Sequence, residues 1–560
     1  MRIALAQINY HIGNFDDNLS KMEAAVAKAI ADKADLVVFA ELAVCGYPPR
    51  DFLEFADFIE RCQASVKRLE ALSTDIGIIV GSPSVNPKVE GKNLHNSAYF
   101  LSGGKTIGVA HKALLPNYDI FDEYRYFEPN TVFECIEFKG KKIALTVCED
   151  LWDIDEDDKL YVISPMQELA KQQPDLMINI AASPFDYEHA AERERVLRKN
   201  ASTYKLPLLY VNHVGAQTEL IFDGGSVFVG ADGEVNSRMK FFEEDFAIFD
   251  IEKVIDEDNS PTKVGGVPAG GGGTSLALEV NTIKLIHDAL LLGIKDYFKK
   301  LGFKKAILGL SGGIDSAVVA VLAARALGKE NVLCVLMPSE FSSMHSVDDS
   351  ITLCEHTGIE RNIIPIHEPF QAFIDTLGPY FEGMPFNIAE ENMQARTRGV
   401  ILMALSNKFG YILLNTSNKS EAAVGYGTLY GDMCGGISVI GDLYKGQVYD
   451  LARYMNKDGE VIPENIITKA PSAELRPNQK DSDSLPDYDI LDKVLYQYIE
   501  KRQGPRELIA MGFDEALVAR VLKLVNMNEY KRHQTPPILR VSAKAFGQGR
   551  RLPIVGKYLS

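Results

Sequence analysis

Short apolar runs alternate with amphipathic stretches along residues 1–254. Runs such as RIALAQI, DLVVFAEL, KIALTVCE and DLMINIAA have the length and composition of buried β-strands. Residues 18–32 instead carry apolar side chains three and four positions apart, which predicts an amphipathic helix with one apolar face formed by Leu19, Met22, Val26 and Ile30. The repeated alternation of such strands with helices predicts a layered α/β domain.

The composition changes at residues 255–275, where two prolines and six glycines occur, four of the glycines in succession. This is the composition of a linker. We therefore predict one domain at 1–254 and a second at 276–560. Thr274 and Ser275 are the predicted caps of a helix that ends near Gly302.

The second domain opens with KKAILGL, SGGIDS and AVVAVLAARALG, which predict a strand, a glycine turn and a helix. NVLCVLMP and YILLNTSN predict two further strands. Apolar strands separated by helices indicate an open, largely parallel sheet of the Rossmann-like kind. Residues 471–486 are polar and contain proline, so we expect a loop there.

Charge and cysteine content argue against several classes of protein. The formal net charge of -18 disfavours general binding to nucleic acid or to acidic membranes. The seven cysteines include no CxxC pair, which favours reduced thiols over a disulfide framework or a zinc site. The first residues have too short an apolar run for a signal peptide, and the sequence has no apolar run of membrane-spanning length. We expect a cytoplasmic protein without nucleic-acid or membrane partners.

Three residues of suitable chemistry follow strands in the first domain: Glu41 after DLVVFA, Lys112 after KTIGVAH and Cys148 after KIALTV. A thiol is mostly protonated at neutral pH, so it needs a base and a positive neighbour to become a nucleophile. Glu41 can take the proton, and Lys112 can stabilise the thiolate and a later oxyanion, which suits attack on an amide. A cysteine–histidine pair, with His111 or His213 as the base, is the alternative. A lone cysteine after a strand is more often simply packed in the core.

The turn SGGIDS at residues 311–316 lies between a predicted strand and a long predicted helix. Its glycines let the main-chain N–H groups turn inward beside a helix N-terminus, which suits phosphate groups. Ser311 and Ser316 add hydroxyl donors, and Asp315 can hold Mg²⁺ against the phosphates. Neither GxxxxGK[ST] nor GxGxxG is present here, so the turn is not one of the two common nucleotide fingerprints.

FAELAVCGYPPRDFL, HKALLPNYDIFDEYRYF and TVCEDLW resemble the three motif blocks of the nitrilase superfamily. The resemblance implies an α-β-β-α sandwich in which Glu41 is the general base, Lys112 the cation on the oxyanion side and Cys148 the nucleophile. It also implies a second acidic residue, Glu123, near the site.

Within that superfamily, the first domain is most similar to the glutaminase domain of the glutamine-dependent NAD+ synthetase family. The similarity implies that Tyr118 and Ser183 contact glutamine. Six residues after the serine, where the family often has a lysine, this chain has His189, which we also expect in the glutamine site.

SGGIDS in this setting resembles the pyrophosphate loop of N-type ATP pyrophosphatases, which cleave ATP to AMP and pyrophosphate while they adenylate a substrate. The later blocks ENMQARTRGVILMALSN, LLNTSNKSEAAVGYGTLYGD, LYKGQVYDLA, KAPSAELRPNQKDSDSLPDY and EYKRHQTPPILR resemble NAD+ synthetase. The resemblance implies an ATP site at Gly309, Leu310, Ser311, Gly312, Gly313, Ile314, Asp315, Ser316 and Thr416. It implies a deamido-NAD+ site at Asn392, Arg396, Glu421, Asp432 and Lys531. It also implies Lys445 and Ser472 near the phosphates, and Mg²⁺ at Asp315 and Glu421.

The two halves together predict an enzyme that frees ammonia from glutamine and uses ATP to amidate deamido-NAD+. The alternatives are a nitrilase-type amidase whose second domain binds a nucleotide as a regulator, and an amidotransferase that adenylates another acid. We also expect an enclosed tunnel for ammonia. A homo-oligomer is expected through the second domain, with the apolar helices at 276–300 and 396–410 as candidate interfaces.

Overall fold

The computed structural model describes residues 1–155, 160–252, 281–477, 479–483 and 485–558. The chain divides into two compact units, Met1–Val280 and Asn281–Ser560. The predicted linker at 255–275 lies outside the described residues. The domain boundaries therefore stay a prediction.

The strands of the first unit are β1 Arg2–Gln7, β2 Leu36–Val38, β3 Gly77–Val85, β4 Leu94–Ser102, β5 Lys105–His111, β6 Ile136–Phe138, β7 Lys141–Val147, β8 Leu176–Ala181, β9 Leu208–Asn212, β10 Val214–Gln217, β11 Leu220–Asp223, β12 Val227–Val229, β13 Val235–Arg238 and β14 Asp245–Asp250. Its helices are α1 Phe15–Ala31, α2 Ala56–Leu72, α3 Pro165–Ala170 and α4 His189–Tyr204.

Two six-stranded sheets form the centre of the first unit, in the orders β14-β1-β2-β3-β4-β5 and β13-β12-β9-β8-β7-β6. Strands β1, β4 and β5 pack against β9 and β7 of the facing sheet. Helices α1 and α2 lie against the first sheet, and α3 and α4 lie against the second. The unit is therefore an α-β-β-α sandwich, as predicted.

Helix α1 begins earlier than the predicted helix at 18–32. The side chain of Asn14 caps it by accepting from the main-chain N–H of Asp17. Three of the four predicted apolar positions are buried, but Ile30 is 44% exposed. The prediction for Ile30 was wrong because Ala29, which is buried, continues the helical spacing of the other three.

Strand β3 passes very close to the segment that follows β2. A Cβ atom added at Gly81 would lie 2.3 Å from Leu42 N and 2.5 Å from Ala40 O. Main-chain atoms at such distances leave no room for a methyl group, so glycine at this position lets β3 lie beside the segment that carries Glu41.

We expect Gly81→Ala to lower the free energy of unfolding of the first unit by about 3 kcal/mol, because the segment at 40–42 must move to admit the methyl group. Denaturant titration or calorimetry measures the loss. Gly103→Ala is the matched control, since a Cβ atom at Gly103 meets nothing within 4 Å. Its positive φ alone should cost about 1 kcal/mol. Equal losses in the two variants would contradict the close approach of β3.

The strands of the second unit are β15 Lys305–Gly309, β16 Val332–Leu336, β17 Glu360–Ile363, β18 Tyr411–Asn415 and β19 Ile437–Ser438. Its helices are α5 Thr282–Leu301, α6 Ile314–Leu327, α7 Met344–Thr357, α8 His367–Phe381, α9 Ile388–Phe409, α10 Lys419–Val424, α11 Lys445–Met455, α12 Glu464–Thr468, α13 Tyr488–Ile499, α14 Pro505–Ala510, α15 Glu515–Met527 and α16 Glu529–Arg532. Gly302 follows α5 directly, as predicted. The prediction of Thr274 and Ser275 as its caps was wrong, because α5 begins only at Thr282 and the side chain of Asn281 caps it by accepting from the main-chain N–H of Lys284.

The strands of the second unit form one sheet in the order β17-β16-β15-β18-β19, and every neighbouring pair is parallel. The chain moves outward from β15 to β17 and then returns to β18 on the other side of β15. The strand order thus reverses between β15 and β18, and ligands of open α/β sheets bind at such a point. The predicted turn at 311–316 and Thr416 follow these two strands.

Residues 471–477 and 479–483 contain no helix or strand except one helical turn at Asp481–Asp483, which confirms the predicted loop for that described part. Within the described ranges, no helix combines the length and apolar character needed to cross a membrane.

Candidate active sites

One lysine and two carboxylates meet in the interior of the first unit. Nζ of Lys112 donates to Oε1 of Glu41 and to Oε1 of Glu123, each at 2.8 Å. Lys112 is 1% exposed, Glu41 0% and Glu123 5%. The structure therefore brings together three residues that the sequence placed in one site. Two of the three N–H groups of Lys112 are engaged in this way.

Further donors hold both carboxylates in place. The main-chain N–H of Ala182 donates to Oε2 of Glu41 at 2.8 Å, and Nδ2 of Asn96 donates to Oε1 of the same residue at 2.7 Å. The hydroxyl of Tyr47 donates to Oε1 of Glu123 at 2.9 Å. Buried carboxylates need such partners, and the number of donors here fixes the orientation of each group.

Cys148 follows β7 directly and has φ +44, which is rare for a residue other than glycine. Its side chain is buried, and Nδ2 of Asn179 donates to its main-chain carbonyl at 3.3 Å. Burial raises the pKa of the Cys148 thiol, the charge of Glu41 raises it further, and Lys112 opposes both. The resting thiol is therefore protonated and needs a base before it can attack.

Burial and the charge of the ion-pair partner shift the pKa values of Lys112 and Glu123 in opposite directions. Burial disfavours the Lys112 ammonium, but Glu123 and Glu41 outweigh this effect and raise the pKa of Lys112. Burial raises the pKa of Glu123 to about 7, with Lys112 opposing the shift and Glu41 adding to it. Lys112 thus keeps its charge at neutral pH, while Glu123 takes up a proton in that range.

Asp150 connects the segments that carry the lysine and the cysteine. Its Oδ1 accepts from the main-chain N–H groups of Ala113 and Leu114, both at 2.9 Å, and its Oδ2 accepts from that of Val147 at 3.0 Å. Burial raises the pKa of Asp150 to about 6, against these three donors. The loop after Lys112 is therefore fixed relative to the end of β7.

Tyr118, predicted to contact glutamine, lies in a polar group beside the cysteine. Its hydroxyl donates to Oε1 of Glu149 at 2.9 Å, and the hydroxyl of Tyr161 donates to the same oxygen at 2.9 Å. Burial raises the pKa of Glu149, which follows Cys148 in the chain. The sequence analysis missed Glu149 and Tyr161, because a hydroxyl–carboxylate pair across many residues leaves no local pattern.

Ser183 and His189, both predicted in the glutamine site, lie in contact. Oγ of Ser183 is 2.9 Å from Nε2 of His189, and the imidazole stacks on Trp152 with ring centroids 5.0 Å apart. Trp152 ends the helical turn that Cys148 begins. The pair is thus connected to the cysteine segment through the indole ring.

The two histidines of the alternative hypothesis have other partners. Nδ1 of His111 is 2.7 Å from Oγ of Ser97, and burial lowers the pKa of His111 to about 4. Nε2 of His213 is 2.6 Å from the main-chain carbonyl of Glu41. Apart from burial, the charge of Glu41 has the largest effect on the pKa of Cys148. Because both histidines bind other groups, this environment favours Glu41 as the base.

The glycine turn of the second unit has the conformation that its sequence predicts. Gly312 has φ +78, and a Cβ atom there would lie 2.3 Å from Ser346 O, so only glycine fits. Oγ of Ser316 accepts from Ser311 N at 3.2 Å and donates to Gly313 O at 3.0 Å. These bonds hold the turn at the N-terminus of α6, where N–H groups favour an anion.

A second buried lysine is shared by two carboxylates beside this turn. Nζ of Lys445 donates to Oδ2 of Asp315 at 2.5 Å and to Oε1 of Glu421 at 3.1 Å. Nδ2 of Asn418 donates to Oδ1 of Asp315 at 2.9 Å. Burial raises the pKa of Glu421 to about 7, with Lys445 opposing the shift and both Asp315 and Asp481 adding to it. Two carboxylates thus bind one lysine, and a third, that of Asp481, acts on Glu421.

This excess of negative charge fits a divalent cation. In the described part of the chain, no group of three or more histidine, cysteine, aspartate or glutamate residues is arranged to hold a metal by itself. Asp315 and Glu421 offer two carboxylates. Mg²⁺ sites of nucleotide enzymes commonly combine one or two carboxylates with water and substrate phosphates, so the donor set fits that ion.

A cavity of about 320 Å³ opens at the carboxyl ends of β15 and β18. The predicted residues that line it are Gly309, Leu310, Ser311, Gly313, Ile314, Asp315, Ser316, Thr416, Glu421, Asp432, Lys445 and Ser472. The predicted residues outside its lining are Gly312, Asn392, Arg396 and Lys531. The turn, the carboxylates and the lysine therefore face one cavity.

Three of the predicted deamido-NAD+ residues hold the segment 425–432 instead of lining this cavity. Oγ1 of Thr428 donates to Oδ1 of Asn392 at 2.7 Å, and Nε of Arg396 donates to the carbonyl of Leu429 at 3.2 Å. Nζ of Lys531 donates to the carbonyls of Gly425 at 2.8 Å and Gly427 at 2.9 Å. Burial raises the pKa of Asp432, in the same segment, to about 6. Their contact with the dinucleotide stays a prediction.

The cavity also contains charged residues that the sequence analysis missed. Arg398 lines it, donates to Met337 O at 3.1 Å, and has its pKa lowered to about 10 by burial. Lys469 and Asp481 line it as well. All three lie in the sequence blocks quoted above. Those blocks located the region but did not indicate which polar side chains face the cavity.

Comparisons with known proteins cover both units. The family model described as "Carbon-nitrogen hydrolase" matches residues 2–258, and the model described as "NAD synthase" matches residues 286–535. A relative from Synechocystis sp., named glutamine-dependent NAD(+) synthetase, is 43% identical over 99% of this chain and 98% of its own length. A relative of the same name from Acinetobacter baylyi is 42% identical over the same shares of the two chains.

Two solved structures match the whole chain. The glutamine-dependent NAD+ synthetase from Acinetobacter baumannii, in complex with adenosine diphosphate, is 38% identical with a TM-score of 0.75 and covers 100% of this chain and 99% of its own. The enzyme of that name from Cytophaga hutchinsonii is 20% identical with a TM-score of 0.82, covering 100% and 98%, and shows a shared fold.

Proposed function

The chain belongs to the glutamine-dependent NAD(+) synthetases, and on that premise we propose that its two units perform the two halves of one nitrogen transfer. It is a ligase with glutamine as the amide donor. One observation supports the assignment of each half of the reaction to its unit. Each unit buries a lysine between two carboxylates, beside a cysteine in the first unit and beside a phosphate-binding turn in the second.

In the first unit, Glu41 takes the thiol proton as Sγ of Cys148 bonds to the side-chain carbonyl carbon of glutamine. The third N–H of Lys112 stabilises the negative oxygen of the tetrahedral intermediate. Glu41 returns the proton to nitrogen, the C–N bond breaks, and ammonia leaves. A water that loses a proton to Glu41 then attacks the thioester, which gives glutamate and the free thiol.

In the second unit, a carboxylate oxygen of deamido-NAD+ attacks the α-phosphorus of ATP, and pyrophosphate leaves. Ammonia attacks the carbonyl carbon of the acyl adenylate, AMP leaves with the electrons of the C–O bond, and loss of a proton gives NAD+. The turn at 311–316 and Lys445 bind the phosphates. Asp315 and Glu421 would hold Mg²⁺, which supplies positive charge against the phosphate oxygens when bound.

The test follows one nitrogen atom. We expect glutamine labelled with heavy nitrogen at its side-chain amide to give NAD+ labelled in the carboxamide, as measured by mass spectrometry with ATP and deamido-NAD+ present. Excess unlabelled ammonium in the buffer should dilute the label little, because we expect ammonia to pass between the sites within an enclosed tunnel. Unlabelled NAD+ in the absence of added ammonium would refute the transfer.

The same reaction mixture separates the two alternatives. An amidase with a regulatory nucleotide domain releases no pyrophosphate in response to deamido-NAD+, and an amidotransferase for another acid releases it with that acid instead. The full-length relatives favour neither alternative.

We also propose a cytoplasmic homo-oligomer that associates through the second unit. Helix α9 supports this proposal, because Val400 is 62% exposed and Phe409 is 61% exposed. Helix α5 supports it less, since its apolar face is buried against α6 and α11. All seven cysteines are free thiols, as in a reducing compartment. Light scattering tests the assembly, and a monomer would refute it; recovery of the enzyme outside the cytosolic fraction would refute the location.

A further inference from the structure

We propose that Asn96 is a positioning residue of the glutaminase site, and this inference rests on the proposed function. Asn96 lies on β4 and is fully buried. Its Nδ2 is 2.7 Å from Oε1 of Glu41 and 3.3 Å from Oε2 of Glu123. One side-chain amide thus donates to both carboxylates that share Lys112.

The orientation of the amide follows from the chemistry around it. Oε1 of Glu41 accepts from Lys112 and can only accept from Asn96 as well, so the NH₂ end of Asn96 must face it. Its carbonyl oxygen Oδ1 is then buried, and no described residue supplies a hydrogen-bond partner for it. An unpaired buried carbonyl is unfavourable, and an apolar side chain of similar shape would avoid this cost. Packing alone therefore does not explain an asparagine here.

The main chain of Asn96 is also hydrogen-bonded to Lys112, the lysine that Glu41 and Glu123 share. The N–H of Lys112 donates to the carbonyl of Asn96 at 2.8 Å. The side chain and the main chain of one residue thus hold the base, the second acid and the lysine in a fixed arrangement. Residues that orient a catalytic group in this way commonly affect activity although they touch no substrate.

The amide also selects which oxygen of Glu41 reacts. Oε1 of Glu41 accepts from both Lys112 and Asn96, whereas among the described residues Oε2 accepts from the main-chain N–H of Ala182 alone. Oε2 therefore keeps the freer lone pair for the thiol proton. The donor from Asn96 stabilises the ionised form of Glu41, which is the form that acts as a base.

Other groups act on Glu41 from the elements around it, and they stay in place when Asn96 is replaced. These titratable and charged groups are Lys112, Glu123, Cys148, Glu149, Tyr47 and His213. A change in the pH profile of an Asn96 variant therefore reports the loss of the amide donor.

The test is the pH profile of glutaminase kcat/KM in the full-length enzyme. We expect Asn96→Leu to lower kcat/KM about 10- to 100-fold through kcat, with KM for glutamine little changed. The acid limb of the profile should move to higher pH, because the pair of carboxylates that shares Lys112 loses a donor. Synthesis of NAD+ from ammonium salt should stay unchanged.

Asn200→Leu is the matched control. Asn200 is also buried in the first unit, and its Nδ2 donates to the carbonyls of Leu151 and Val196 but to no carboxylate. We expect its acid limb to coincide with that of the unaltered enzyme. If the limb does not move in Asn96→Leu, or moves equally in both variants, Asn96 has only a packing role.

A second variant keeps the test valid if Asn96→Leu does not fold. Asn96→Asp preserves the shape, but an ionised aspartate cannot donate to Glu41 or Glu123, so its kcat should fall as in Asn96→Leu. An unchanged kcat in a folded Asn96→Asp protein overturns the inference. The proposed function fails separately, if the unaltered enzyme releases no glutamate from glutamine.

Discussion

Replacing Cys148 with alanine is expected to lower glutamine-driven synthesis of NAD+ at least about 10³-fold, because no other group in the site can form the thioester. Synthesis from ammonium salt should continue at the rate of the unaltered enzyme, since the second site is complete without the thiol. Chromatography of NAD+ formed with each nitrogen source measures both rates.

Cys135→Ala is the control for the loss of a thiol in the same unit. Cys135 is half-buried, and its Sγ donates to the carbonyl of Leu169, so it takes no part in the site. We expect this variant to keep both activities. If Cys148→Ala lost ammonium-driven synthesis as well, while melting at an unchanged temperature, the two sites would not be separable in the way proposed here.

Asp315→Asn is expected to have the opposite effect, with loss of NAD+ synthesis and retention of glutamine hydrolysis. The change keeps the shape of the side chain but removes one of the two carboxylates on Lys445 and one of the two proposed Mg²⁺ ligands. We expect pyrophosphate release and NAD+ formation to fall about 10³-fold with either nitrogen source, a loss of the size seen when a key electrostatic group is removed from an active site. Glutamate release should remain measurable.

Asp450→Asn makes the same change of charge on the surface of α11, where Asp450 is 59% exposed and pairs with Arg453. This variant should keep full activity with both nitrogen sources. Near-normal pyrophosphate release by Asp315→Asn would show that the carboxylate beside the turn is not needed for adenylation, and the assignment of the second site would fail.

The sequence analysis located residues that follow strands better than residues within them. Cys148, Lys112 and Asp315 each come shortly after an apolar strand, and the carboxyl ends of strands are where sites of layered α/β folds form. Local pattern and family resemblance therefore pointed to the same positions, and the structure brings Cys148 and Lys112 into one buried group.

Asn96, Asp150, Arg398 and Asp481 were missed for a common reason. Each acts through a side-chain contact with residues distant in the sequence, such as the contact of Asn96 with Glu41, 55 positions away. A single sequence carries no record of such pairs. The three successive polar residues at positions 95–97, inside an otherwise apolar strand, were the one available signal, because buried strands seldom contain such a run.

The left-handed main-chain conformation of Cys148 has a consequence for engineering heat-tolerant forms of this enzyme. Only glycine adopts this conformation without a cost of about 1 kcal/mol, so replacement by glycine is a standard route to thermostability at such positions. At position 148 that route removes the nucleophile. Libraries built for thermostability should therefore leave this residue constant and vary others of the same conformation, such as Lys33 and Lys205, which take no part in either site.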